Sequence, residues 1–114
     1  MDSAAALAYA LAKPGAWADD PWQEHREVAK VASKIFLFPG ADDGHHTITV
    51  KNTAEAVDEL KQRYPTAAGP ARYLNKRLWV RLVIDEVPAD EVHELIDDSY
   101  ELVVATLPRS VRPG

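Results

Sequence analysis

The sequence predicts an α+β domain, an antiparallel sheet with helices packed on one face, in the order α-β-β-β-α-β-β-α. Three observations carry this. Residues 89–107 show helical spacing, with Val92, Leu95, Ile96, Ser99, Val103 and Leu107 on one stripe and Asp90, Glu91, Glu94, Asp97, Asp98 and Glu101 towards solvent. Residues 77–84 alternate, setting Arg77, Trp79 and Arg81 on one face against Leu78, Val80 and Leu82 on the other. Between residues 28 and 51, three short strand-like segments follow one another with no helix between them.

The elements follow in order. Ser3–Ala12 reads as a short helix with Leu7 and Leu11 one turn apart, Asp2 or Ser3 as its cap, and Pro14-Gly15 as its stop. Residues 16–27 read as a loop that Trp17 and Trp22 pin to the core. Strands are expected at Val28–Val31, Lys34–Phe38 and His46–Lys51, with a tight turn at Ala32-Ser33 and a longer hairpin loop over 39–44. Asn52 and Glu55 have capping-box spacing for a helix that buries Val57, Leu60 and Tyr64 and ends at Pro65. After a Pro/Gly/Ala loop, a short strand near Arg72–Leu74 turns at Asn75-Lys76 into the strand Arg77–Ile84. Pro88 precedes the last helix, whose early acids suit the positive end of its dipole.

The chain of 114 residues is expected to form one domain, 1–114, with its core between about 3 and 108. A compact domain of this length has a radius of gyration of roughly 13 Å. With 46% apolar and 27% charged residues, the composition is that of a folded globular protein. The absence of cysteine excludes disulfides, thiolate-ligated metals and thiol catalysis, and it fits a reducing compartment. The apolar N-terminus lacks the basic region of a signal peptide and no segment reaches the roughly 18 apolar residues of a membrane span, so a cytoplasmic location is expected.

The formal net charge is −5, which argues against a dedicated high-affinity nucleic-acid binder. The charge is nevertheless segregated along the chain. From Leu60 to Ile84 there are six basic residues and no acid, and from Asp85 to Glu101 there are eight acids and no Lys or Arg. If Lys51, Arg77 and Arg81 share a sheet face, they form a basic patch with Trp79 between them, able to take phosphates and stack on a base. The competing reading is that the Arg methylenes simply shield the Trp79 ring.

Other clusters carry less. His45-His46 beside Asp42 and Asp43 has metal-ligand types, yet adjacent strand residues point to opposite faces, so no metal site is expected. His25 and His93 are isolated, the six acids of the last helix read as a solvated face, and Ser99 is expected to bond a carbonyl one turn back. No nucleophile elbow, P-loop, zinc-protease motif or dinucleotide turn is present, so no catalytic residue and no cofactor are expected, and the chain reads as non-enzymatic.

Four segments in order, Ala12-Lys-Pro-Gly-Ala16, Lys30-Val-Ala-Ser-Lys-Ile-Phe36, Tyr73-Leu-Asn-Lys-Arg-Leu-Trp-Val80 and Asp97-Asp-Ser-Tyr-Glu-Leu-Val103 with Leu107-Pro108, resemble the MmcQ/YjbR family of small bacterial proteins. The resemblance implies a fold akin to secretion chaperones and the CyaY-like group, and a DNA-binding description based on a double-wing arrangement. The chain keeps basic residues at Lys30, Lys34, Lys51, Lys76 and Arg77 that such a face would use. The expected function is therefore weak, largely sequence-independent binding of DNA through Lys30, Lys34, Lys51, Lys76, Arg77, Trp79 and Arg81. The alternative is a protein- or peptide-binding adaptor that uses the same open sheet face, as a monomer or a homodimer.

Overall fold

The computed structural model describes residues 1–113. Helix α1 (Ser3–Leu11) leads into strands β1 (Ala16–Asp19), β2 (Val28–Val31), β3 (Lys34–Asp42) and β4 (His45–Lys51). Helix α2 (Ala54–Arg63), strands β5 (Ala68–Pro70) and β6 (Trp79–Val83), helix α3 (Ala89–Ala105) and a 3-10 turn at Arg109–Val111 complete it. The six strands form one antiparallel sheet in the order β1-β2-β3-β4-β6-β5. The radius of gyration is 13.3 Å, as a compact domain of this length requires.

The α+β class and the single helical face hold, while several boundaries differ. Residues 16–27 are not all loop, because Ala16–Asp19 pairs with β2 as an edge strand. The hairpin after Phe38 is tight: β3 runs to Asp42, and Asp43 and Gly44 turn it with φ of 51° and 82°. Both angles positive make this the Asp-Gly turn whose twist suits a two-residue hairpin. The strand expected near Arg72–Leu74 lies at Ala68–Pro70 instead, and Arg77 and Leu78 belong to the connection before β6.

A bulge in β3 decides which side chains face the core. Ala29 pairs with Leu37 and Lys30 with Ile35, which leaves Phe36 as the extra residue. Phe36 and Leu37 are both fully buried, whereas Ile35 and Phe38 are not. Beside the bulge the β3–β4 ladder stops at Leu37–Val50, and Ser99 of α3 bridges the next pair of backbone groups. Its hydroxyl donates to the Phe36 carbonyl at 2.6 Å and accepts the Lys51 amide at 2.9 Å. The sequence-based expectation of a bond one turn back in the helix is corrected here, since Ser99 ties the helix to the sheet.

The helices stand over the core face. Ala6 and Ala10 are buried and bring α1 close to the sheet, while Leu7 and Leu11 flank the contact. The Asp2 carboxylate caps α1 by accepting the Ala5 amide at 2.7 Å. At α2 the N-cap is Thr53, whose hydroxyl accepts the Ala56 amide at 3.2 Å; Asn52 is buried and takes the Thr53 amide instead. The stripe of α3 is buried as its spacing predicts, from Val92 to Leu107.

Two acids of α3 work against neighbouring helices and are not merely solvated. Glu91 accepts the Tyr64 hydroxyl at 2.7 Å and pairs with Arg63 at 3.1 Å. Asp97 pairs with Lys13 and accepts the Tyr9 hydroxyl at 2.8 Å, and the Tyr9 ring stacks on His93 with centroids 3.9 Å apart. Partial burial opposes ionisation of Asp97, but the hydrogen bonds from Lys13 and Tyr9 outweigh it and hold the carboxyl below the usual carboxylate range. The same bonds to Asp97 raise both Tyr9 and Lys13.

Two predictions follow from these contacts. Ser99→Ala leaves a buried carbonyl and amide without partners and lowers unfolding free energy by about 1–3 kcal/mol in urea titrations. A change under about 0.5 kcal/mol would show that the bulge holds without the hydroxyl. Because the folded Asp97 carboxyl titrates below its ordinary value of 3.8, its stabilisation is full above that value and drains away as pH falls through the folded one. Asp97→Asn should therefore flatten the acid limb of stability against pH and leave its shape near neutrality unchanged.

Candidate functional site

The face of the sheet opposite the helices is uncovered, and register fixes what it displays. Opposed residues share a face, so Thr47, Thr49 and Lys51 of β4 lie beside Val83, Arg81 and Trp79 of β6, and beside Gly40 and Phe38 of β3. On the other flank, Trp17 and Asp19 of β1 lie beside Lys30 and Val28 of β2. An aromatic row crosses this face. Phe38 meets Trp79 edge-on with ring centroids 5.8 Å apart, and Trp22 leans on Phe38 at 6.3 Å.

Two connections rise over the open face and turn it into a trough. Trp22 and Glu24–Glu27 of the first connection form one wall and Arg72–Leu74 of the second form the other, enclosing about 1020 Å³ above a floor of Phe38, Gly40, Thr49 and Arg81. Gly40 is required in this floor, because a Cβ there would meet the Thr47 hydroxyl at 2.9 Å. The wall of residues 20–27 is set by Asp20, whose carboxylate accepts the Glu24 and His25 amides at 3.2 and 2.9 Å. The wall of residues 71–78 is set by Asn75. Its side chain accepts the Arg77 amide at 3.0 Å and its carbonyl accepts the amides of Leu78 and Trp79.

The trough also spills over a free stretch of sheet edge. β2 pairs with β3 only as far as Leu37, so among the described residues no strand pairs with 38–42 on that side. His46 bonds through its carbonyl to the amide of Ile84, just past β6, so the alternate residues of β4 serve β3. Their partners are Phe38, Gly40 and Asp42, and Pro39 and Ala41 turn their backbone to the free edge. Past this edge lies the start of α1, fixed by bonds of 3.1 Å from the Ser3 amide and hydroxyl to Nδ1 of His46.

The structure divides the seven residues singled out from the sequence. Lys51 and Trp79 are opposed on the open face, and Arg81 is one step along β6. Lys76 and Arg77 are exposed in the connection 71–78, so Arg77 does not sit on the strand ladder with Trp79. Arg81 is engaged by Asp42 at 2.6 Å, and its Nε is buried with no partner among the described residues. Lys30 pairs with Asp19 at 2.7 Å and lies 5.3 Å over the Trp17 ring. Lys34 leaves the patch: it reaches Thr106 at the end of α3, on the core side of the sheet. The cation–π contacts among the described residues join Lys13 to Tyr9, Lys30 to Trp17 and Arg63 to Tyr64, so neither Arg77 nor Arg81 shields Trp79 in that way.

Sequence reasoning missed three contributors. Tyr73 is fully exposed at φ 64°, Arg72 is exposed beside it, and Trp22 is 51% exposed on the facing wall. The two N-terminal Trp residues do not pin a loop to the core. Trp17 is 44% exposed on the open face and donates to the Ala32 carbonyl at 2.9 Å, and Trp22 lines the trough. The signal for Tyr73 was present in its company, since residues 72–77 hold three cations and no acid.

A family model described as YjbR matches residues 11–102, most of the chain. The chain belongs to the YjbR family. Its sequence is 28% identical over 109 residues to the uncharacterized protein YjbR of Escherichia coli K12, covering 93% of this chain and 90% of that one. The YjbR fold is shared with Deinococcus radiodurans protein DR2400, at a TM-score of 0.81 and 28% identity over 92% of this chain and 80% of the other. A Pseudomonas syringae protein solved by crystallography superposes with a TM-score of 0.69 at 25% identity, covering 90% of this chain and 98% of that one.

The exposure pattern in this YjbR protein is open to a direct check. Iodide should quench emission from Trp17 and Trp22 and spare Trp79, so Trp22→Phe removes a quenchable component and Trp79→Phe removes a protected one. The opposite ranking would mean that Trp22 turns in from solvent while Trp79 stands open to it, contrary to the exposure seen.

Proposed function

We propose that this protein is a non-catalytic binding module that holds nucleic acid, weakly and with little sequence preference, at the basic rim of the trough. One observation carries the reading. Arg72, Lys76 and Arg77 are exposed around a fully exposed Tyr73 and, among the described residues, no acid forms an ion pair with them. Cations free of partners release counterions on meeting phosphate, and an exposed ring gives a base something to stack on. Lys51 beside Trp79 extends the rim along the sheet. Arg81 and Lys30 contribute less, because Asp42 and Asp19 already neutralise them. With a net charge of −5 opposing long-range attraction, the affinity is modest.

The non-catalytic part of the proposal rests on the sequence, which holds no nucleophile elbow, P-loop, zinc-protease motif or dinucleotide turn, and the perturbed groups are consistent with it. Asp97 and Asp85 are held below the usual carboxylate range, and Tyr9, Tyr64 and Lys13 are held above their ordinary values. These shifts move titration away from neutral pH, as structural pairs do, while acid–base catalysis calls for the reverse. A second reading, peptide binding, draws on the apolar part of the trough, where Trp22, Ile35 and Phe38 line the wall and floor.

Titration of labelled nucleic acid across salt concentrations tests the proposal. Lys76→Ala/Arg77→Ala should reduce the steepness of log affinity against log salt by about 0.7 per lost contact on single strands and about 0.9 on duplex. Asp42→Asn, which frees Arg81, should steepen it. Absence of binding near about 50 mM salt, or binding untouched by the double substitution, would remove the nucleic-acid reading and leave the peptide one.

A further inference from the structure

We infer that the trough is built for a single nucleic-acid strand and discriminates against duplex, with the backbone on the wall of residues 71–78 and the bases turned inward. The inference rests on the nucleic-acid reading above and goes beyond it by naming the class of strand. What carries it is the opposite sign of the two walls. Of residues 71–78, Arg72 lines the trough and Lys76 and Arg77 are exposed beyond its lining, with no acid among them. Residues 20–27 hold Asp20, Glu24 and Glu27 against a single Arg26, which spends part of its charge on Glu24 at 3.9 Å. Between the walls, Arg81 and Asp42 cancel one another on the floor.

A duplex groove is bordered by phosphates on both sides, whichever groove is presented. Set into this trough, one phosphate row would meet the cations and the other would meet Glu24 and Glu27, both of which line the cavity. Like charges at that distance repel, and the loss cannot be relieved by rotating the duplex. A single strand has one phosphate row. It satisfies the basic wall and leaves the acidic wall facing base edges, where a carboxylate accepts from base N–H groups, the exocyclic amines of A, C and G or the N3–H of T.

The aromatic side chains are placed for such a strand. Tyr73 stands clear of the protein at the top of the basic wall, in a left-handed backbone conformation unusual for a bulky residue. Trp22 offers a half-exposed face across the trough, backed by Phe38. Bases of a duplex are already stacked on one another and do not reach these rings, whereas unpaired bases do.

Anisotropy titrations of labelled oligo(dT) and of a duplex of equal length, at matched salt, test the inference. Single-strand affinity should exceed duplex affinity by about tenfold or more. Tyr73→Asn tolerates the positive φ, and should weaken oligo(dT) binding by about 5- to 150-fold with an unchanged salt dependence, while Tyr73→Phe retains it. Glu24→Gln/Glu27→Gln should raise duplex affinity and narrow the gap. Equal or tighter duplex binding by the unsubstituted protein, or oligo(dT) binding indifferent to Tyr73→Asn, overturns the single-strand inference and leaves nucleic-acid binding standing. Failure to bind either probe at low salt instead removes the underlying reading, and the inference with it.

Discussion

The hydroxyl of Ser99 holds together the feature on which the rest of the architecture depends. A regular β3 would put Phe36 and Phe38 on one face and Ile35 and Leu37 on the other. The extra residue at Phe36 changes that phase, so Phe36 and Leu37 both enter the core and Phe38, Gly40 and Asp42 all face outward. A bulge leaves backbone groups without ladder partners, and in a buried setting each such group costs about 1–3 kcal/mol. By bridging the Phe36 carbonyl and the Lys51 amide, Ser99 removes that cost and locks α3 to the two central strands at the same point. The floor of the trough is thus a consequence of a contact on the far side of the sheet.

The second constraint is electrostatic self-pairing. Cations that look like a continuous patch along the chain are sorted by local partners into engaged and free. Asp19 occupies Lys30, Asp42 occupies Arg81, and Thr106 draws Lys34 away to the end of α3. Exposed pairs of this kind add little to stability, typically 0–1 kcal/mol, yet they decide which charges remain for a ligand. What remains free on this side is Lys51 on the sheet and the cations of the connection 71–78, whose opposite number on the connection 20–27 is acidic.

Much of the frame was legible because it rests on periodicity. The stripe of α3, the alternation from Trp79 to Val83 and the boundaries of β2 follow from spacing alone, and all hold. The errors fall where long-range contacts override local pattern. Ala16–Asp19 has no strand signature of its own and becomes a strand only because β2 offers it an edge. Ser99 reads as an ordinary helical serine until a bulge sixty residues away presents two unpaired groups. Leu7 and Leu11 outrank Ala6 and Ala10 by hydrophobicity, yet close approach of α1 to the sheet selects the small residues for burial. For the site, sequence found the right neighbourhood and overstated its reach, because ion pairing between β3 and β6 cannot be seen in a linear charge count.

Pro39 has an effect on the molecule's behaviour at high concentration. It lies in the stretch of β3 that extends past β2, with its backbone turned to the free edge, where an amide would otherwise await another chain. Proline has none to offer, so this edge is a poor template for strand addition by a second copy. An aromatic trough next to an unguarded edge would be an invitation to fibre growth. With Pro39 in place, the protein can keep Trp22 and Phe38 accessible while staying resistant to self-assembly along its own sheet.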